Sequence, residues 1–220
     1  PVTPFEQNCA LLWEESTRRG AVVDPGGDAP RILEAVCAHG VTVDTILLTH
    51  GHLDHAGGAD ELRRLLAAEG QAAPIVGPDR RDQFLLDGIS AQARAFGIAG
   101  LADATPDRWI SEGEQVAIGG VAFDVLHCPG HTPGHVVFVA PTLRLALLGD
   151  VLFRGSIGRT DFPYGDHDAL LRAIADKLLP LGDDMRFLCG HGPSSSIGEE
   201  RRGNPFLAGL RPGTGAAGRD

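Results

Sequence analysis

Three imidazoles and one carboxylate fall within six consecutive positions of this chain, in the run Thr49-His50-Gly51-His52-Leu53-Asp54-His55. Ring nitrogen and carboxylate oxygen with no thiolate suit zinc, iron or manganese at an open site, not a closed structural zinc site. His50 and His52 are two positions apart, so on an extended segment they point to one side. The glycines that follow, Gly57 and Gly58, let the chain fold back and bring Asp54 and His55 in from a second direction. One short segment can in this way serve two metal ions, whereas a merely solvated turn has no need of four ligand-type side chains.

Three later stretches carry complementary residues: His131 in Pro129-Gly130-His131-Thr132-Pro133-Gly134-His135, Asp150 after Leu147-Leu148-Gly149, and His191 between Gly190 and Gly192. Glycine or proline flanks each one, as a tight loop at a sheet rim requires. The elements that must present them are legible as strands. Val43-Asp44-Thr45-Ile46-Leu47-Leu48 reads as a buried strand ending at the first cluster, and further strands are expected at 8–13, 20–24, 73–76, 115–118, 121–127, 136–139, 143–148 and 185–189. Apolar residues at helical spacing predict helices over 28–39, capped by Asp28, and over 59–69, 79–86 and 167–179. The stretch 87–106 reads as irregular. Strand blocks in both halves, interrupted by amphipathic helices, point to an α/β protein with two sheets face to face and helices outside. Residues 1–208 read as one domain and 209–220 as a flexible tail.

The 220 residues are 43% apolar, enough for one large core, and 29 acidic against 19 basic side chains give a net charge of −10 without a basic stripe. Nucleic-acid binding is disfavoured on that ground. Cys9, Cys37, Cys128 and Cys189 are widely spaced beside apolar runs, as buried free thiols in a reducing compartment would be. No run approaches the length of a membrane span, so the expectation is a soluble, cytoplasmic protein without a membrane partner. Nothing in the sequence speaks to self-association.

With these motifs in order from His50 to His191, the chain resembles metallo-β-lactamase-fold hydrolases, and among them the short glyoxalase II-like (hydroxyacylglutathione hydrolase) enzymes. The turn at Asp24 and the segment Gly155-Ser156-Ile157-Gly158-Arg159-Thr160-Asp161-Phe162 match as well. The resemblance implies an αβ/βα four-layer sandwich with a dinuclear site at one edge of the two sheets. It implies that His50, His52 and His131 hold one ion, that Asp54, His55 and His191 hold the other, and that Asp150 bridges them. Two divalent ions are then expected, zinc first, with iron or manganese compatible. The implied activity is hydrolysis of a small-molecule thioester such as S-lactoylglutathione by a metal-bridging hydroxide, with Asp54 and Asp150 as the catalytic carboxylates.

Arg159 either binds a substrate carboxylate or pairs with Asp161 or Asp166. His127 and His135 flank the His131 loop and are expected to support it. His39 and His167 are expected at helix ends, with no further role. Full-length glyoxalase II enzymes hold glutathione with a C-terminal helical extension bearing basic and tyrosine residues. Here 29 residues follow His191 and the sole tyrosine is Tyr164, so glutathione recognition is expected to be altered. Three rival readings stay open: a persulfide dioxygenase with one iron at His50, His131 and Asp150, a nuclease, and a non-catalytic metal-binding module.

Overall fold

Apolar residues alternate along the strands, and that alternation builds the layers. The computed structural model describes residues 1–210. In β2 (Arg19–Val23), Ala21 and Val23 face a central cluster while Val22 turns to an outer one, and β3 (Thr42–Leu47) divides Leu47 from Ile46 in the same way. With β1 (Ala10–Trp13) and β4 (Ile75–Val76) these strands form a four-stranded sheet in the order β1-β2-β3-β4. The β2–β3 and β3–β4 pairings are parallel and therefore need crossovers. Helix α1 (Ala29–Ala38) supplies the first; α2 (Leu53–Ala56) and α3 (Ala59–Ala68) supply the second.

The second sheet begins as an antiparallel meander of β5 (Gln115–Ile118), β6 (Val121–His127), β7 (Val136–Ala140) and β8 (Leu145–Leu147). Next comes a hairpin of β9 (Leu152–Phe153) and β10 (Ser156–Ile157), and then α6 (His167–Ala173) crosses over so that β11 (Arg186–Leu188) pairs parallel to β8. At the edge lies β12 (Ser195–Ser196), followed by α7 (Ile197–Gly203). In β7, Val136 and Phe138 face the first sheet while Val137 and Val139 face α6. The result is the αβ/βα four-layer sandwich expected from the sequence. Phe123 and Phe138 are fully buried between the sheets, each contributing roughly 1.5–3 kcal/mol relative to exposure.

Several expectations need correction. The stretch 87–106 is not wholly irregular, because α5 (Ile89–Phe96) forms there, buries Ile89 and Ala93, and ends on Gly97 in the left-handed region. Asp28 does not cap α1 with its side chain. Its own backbone is left-handed and its carboxylate accepts from the Thr3 N–H instead, at 3.0 Å. The helix over 79–86 is a 3₁₀ turn (Arg80–Asp82) running into α4 (Gln83–Leu86), and the helix over 167–179 passes into a π turn at Ile174–Leu178. Strands also continue past 189, since β12 follows. Cys37 is exposed, although Cys128 and Cys189 are buried and all four thiols are free. Among the described residues no helix is long and apolar enough to cross a membrane. Of the expected tail, residues 211–220 lie outside the described residues.

Candidate metal centre

Every loop that carries a candidate ligand leaves the carboxyl end of a strand at the same rim of the sandwich. The chain exits β3 at Leu47 to place His50 and His52, the β6–β7 loop places His131, the end of β8 places Asp150, and the end of β11 places His191. Asp54 and His55 arrive on the short helix α2, so a helical turn, not the glycine pair after it, brings them in from the second direction.

The first cluster is defined by facing ring nitrogens. His52 Nδ1 lies 3.2 Å from His50 Nε2 and 2.9 Å from His131 Nε2. Their outer nitrogens set the tautomers. Thr49 Oγ1 donates to Asp24 at 2.7 Å, so at 3.0 Å it accepts from His50 Nδ1. His131 Nδ1 donates to the Arg159 carbonyl at 2.8 Å, and His52 Nε2 meets the Tyr164 hydroxyl at 2.8 Å. With these protons assigned from the network, three lone pairs converge on one point, an arrangement that calls for a cation. Burial holds His50 and His131 below the usual imidazole range, and burial together with the neighbouring His131 takes His52 to about 3, so all three rings are neutral donors.

The second cluster is richer in carboxylate. His55 Nδ1 donates to Asp24 at 2.9 Å, which leaves its buried Nε2 without a hydrogen-bond partner, 3.3 Å from Asp150 Oδ1, itself unpartnered. His191 Nε2 stands 3.3 Å from Asp54 Oδ2 and 3.6 Å from Asp150 Oδ2. Asp150 Oδ2 is also 3.5 Å from His131 Nε2, so its carboxylate spans the two clusters. Two orphaned buried lone-pair atoms facing each other, together with this donor set, fit divalent cations. Burial opposes charge here, but the carboxylates outweigh it: Asp150 and Asp54 raise His55 well above its ordinary value, and Asp54 and Asp150 raise His191. In return His55, His131 and His191 hold Asp150 far below the carboxylate range despite its burial. A cation entering this half must displace those protons.

Close packing at the rim depends on glycine at two points. A Cβ on Gly190 would sit 2.0 Å from Asp150 Oδ1, and one on Gly149, which has a left-handed φ of 48°, would sit 2.8 Å from the His135 ring. His135 stacks on His50 at 4.6 Å, and its Nε2 accepts from the Asp150 N–H at 3.0 Å, so it supports both clusters as expected. His127 holds the Pro133 carbonyl of the His131 loop at 2.8 Å. His39 stacks on Trp13, and His167 opens α6. Arg159 pairs with Asp161 at 2.9 and 3.0 Å, lies 4.7 Å over Phe162, and also lines a cavity of about 270 Å³ that opens onto the centre.

In the sequence Asp82 is one acid of the helix expected over 79–86 and carries no signal of a role. It is fully buried. Its carboxylate accepts from the Gly51 N–H at 2.9 Å, the Thr132 hydroxyl at 2.7 Å and the Gly134 N–H at 2.5 Å, tying the His50–His52 loop to the His131 loop. Burial pushes it up to about 6, and the three hydrogen bonds it accepts favour the carboxylate against that shift. In Asp82→Asn one acceptor oxygen becomes a donor facing N–H groups, and metal affinity is expected to fall roughly tenfold or more. Competition with a chelator measures this; unchanged retention would show that the loops keep their register without the carboxylate.

The sequence profile described as "Metallo-beta-lactamase superfamily" matches residues 2–191. The chain is 45% identical to the hydroxyacylglutathione hydrolase GloC of Haemophilus influenzae, over 94% of this chain and 95% of that protein. Among solved structures it is similar to the B3 metallo-beta-lactamase BLEG-1, with a TM-score of 0.85, 34% identity, and coverage of 95% of this chain and 98% of that one. It is also similar to TTHA1623 in a di-iron-bound form, with a TM-score of 0.82, 37% identity, and coverage of 94% and 98%.

Proposed function

Because this chain belongs to the metallo-beta-lactamase superfamily, we propose that it is a metal-dependent thioester hydrolase of the glyoxalase II type, acting on S-lactoylglutathione or related S-acyl thiols. The observation that carries the proposal is the Asp150 carboxylate, which faces His55 with one oxygen and His131 and His191 with the other. In this reading His50, His52 and His131 hold one divalent ion and Asp54, His55 and His191 the other, with Asp150 serving both. Zinc is the first expectation, and the di-iron form of TTHA1623 keeps iron in view. When bound, such ions would lower the pKa of a coordinated water toward neutrality and would polarise the thioester carbonyl.

The chain's own residues supply the rest. Asp54 lines the cavity, and although burial opposes its charge, His55 and His191 hold it below the usual range, so it stays a carboxylate able to orient the attacking water. Asp24 fixes the tautomer of His55 directly and that of His50 through Thr49. Tyr164 accepts from His52, and burial pushes its hydroxyl up to about 12, so it stays protonated beside the cavity it lines. A thiolate leaves readily and needs little acid assistance.

Metal-loaded protein assayed with S-lactoylglutathione, other thioesters and a β-lactam tests the proposal. Hydrolysis of thioesters with inert β-lactam supports it, and the reverse order overturns it. Arg159→Ala is expected to raise KM for a glutathione thioester more than it lowers kcat, since the guanidinium is exposed at the cavity wall. A stability loss with unchanged kinetics would assign Arg159 to its Asp161 pair alone.

A further inference from the structure

Two aromatic walls stand over the candidate metal centre, and they differ in charge. Phe162 lies over His52 and His131, with ring centroids 5.1 and 5.8 Å away, and is stacked on Tyr164 at 5.3 Å and capped by Arg159. The other wall is built from the start of the chain and the end of α5. Phe5 and Phe96 meet edge to face at 6.2 Å, and Leu53 also lines this cavity. Gln7, two residues after Phe5, bridges to the backbone of His191 and approaches His55 at 3.3 Å, so this second wall belongs to the Asp54, His55 and His191 side. Among the described residues, Phe5, Leu53, Gln92 and Phe96 line the cavity here and none is a lysine or arginine.

Phe5 and Phe96 are 40% and 63% exposed, yet both line the cavity. Folding gains little from rings left in water, whereas a ligand seated against them would bury them. We propose that the Phe5–Phe96 wall seats the acyl half of the substrate and selects bulky apolar acyl groups, aryl-acyl thioesters above all, over small hydroxyacyl groups. This rests on the thioester reading. A glutathione thiol half carries carboxylates and is drawn to the wall with Arg159, which leaves the acyl group to the uncharged wall. An aryl group there meets Phe96 and Phe5 in the edge-to-face geometry that the two rings already adopt with each other. A lactoyl hydroxyl seated against the two rings gives up water there, and recovers a hydrogen bond where it reaches Gln92, Asp54 or His191 at the edge of the wall.

Steady-state kinetics on the metal-loaded full chain with S-phenylacetylglutathione and S-lactoylglutathione test the proposal, beside calorimetric binding of the product acids phenylacetate and lactate. The aryl thioester is expected to be favoured in kcat/KM by roughly tenfold or more, and phenylacetate to bind correspondingly tighter. Phe96→Ser is expected to collapse that preference, and Phe96→Leu, which keeps an apolar surface, to retain most of it. Equal or better use of the lactoyl thioester by the wild-type chain, or an undiminished preference in Phe96→Ser, overturns the acyl seat while leaving thioester hydrolysis standing. Failure of the wild-type chain to hydrolyse either thioester overturns the parent reading and the acyl seat with it.

Discussion

Asp150→Ala is expected to abolish thioester hydrolysis and to leave the purified chain without either metal ion. Its two carboxylate oxygens are the feature shared by both clusters, 3.3 Å from His55 Nε2 on one side and 3.5 and 3.6 Å from His131 and His191 on the other. In the proposed two-metal centre, removing the carboxylate would take away the anion that offsets two cations at one buried rim, so each ion would face the other uncompensated. The loss should exceed the ~10–100-fold that follows removal of an outer hydrogen-bond partner. Elemental analysis and thioester turnover on the same preparation check this. A variant that keeps two ions and near-normal turnover would remove Asp150 from the centre.

His191→Ala separates the two-metal hydrolase from its single-iron rival. His191 has the most exposed side chain of the metal-facing residues in these ion pairs, at 32%, so its loss should spare the fold. His50, His52, His131 and Asp150 still surround the first position, whereas the second retains Asp54, His55 and a share of Asp150. Metal content is therefore expected to fall from two ions toward one, and hydrolysis of S-lactoylglutathione by ~10²-fold or more. A persulfide dioxygenase built on His50, His131 and Asp150 would behave otherwise. The unaltered chain would carry one iron and consume oxygen with glutathione persulfide, and the substitution would leave its iron content unchanged. One iron with brisk oxygen uptake would overturn the hydrolase reading even if some thioesterase activity remained.

Much of the site was legible because metal chemistry restricts residue type. Few arrangements other than a metal centre need His50, His52, Asp54 and His55 so close in sequence, and the glycine-flanked His131, Asp150 and His191 marked strand ends that the structure brings to one rim. The supporting carboxylates were harder to see. In the sequence Asp24 marks only a turn and Asp82 stands out in no way, because an acid that accepts backbone N–H groups across a fold leaves no local pattern. Strands with two-residue alternation could be read, but their order could not, since the pairing of β11 with β8 is set by packing between distant segments. Helix α5 escaped because only Ile89 and Ala93 are buried along it. Helix α7 escaped because it is mostly charged. Its anchors are a Ser196 cap and the buried Glu200, which accepts from Ser195, Gly155 and Asn204.

The distribution of the seven candidate ligands along the chain also sets a timetable for synthesis. Chains emerge from the ribosome N-terminus first, at roughly 5–20 residues per second. The first imidazole trio is complete once His131 has emerged, but the carboxylate shared by both clusters comes with Asp150 and the last donor with His191, after β8 and β11 have been made. Neither cluster has the Asp150 carboxylate beside it until β8 is made, and the second lacks His191 until β11 is made. The two clusters as the fold presents them therefore exist only once β11 has docked beside β8.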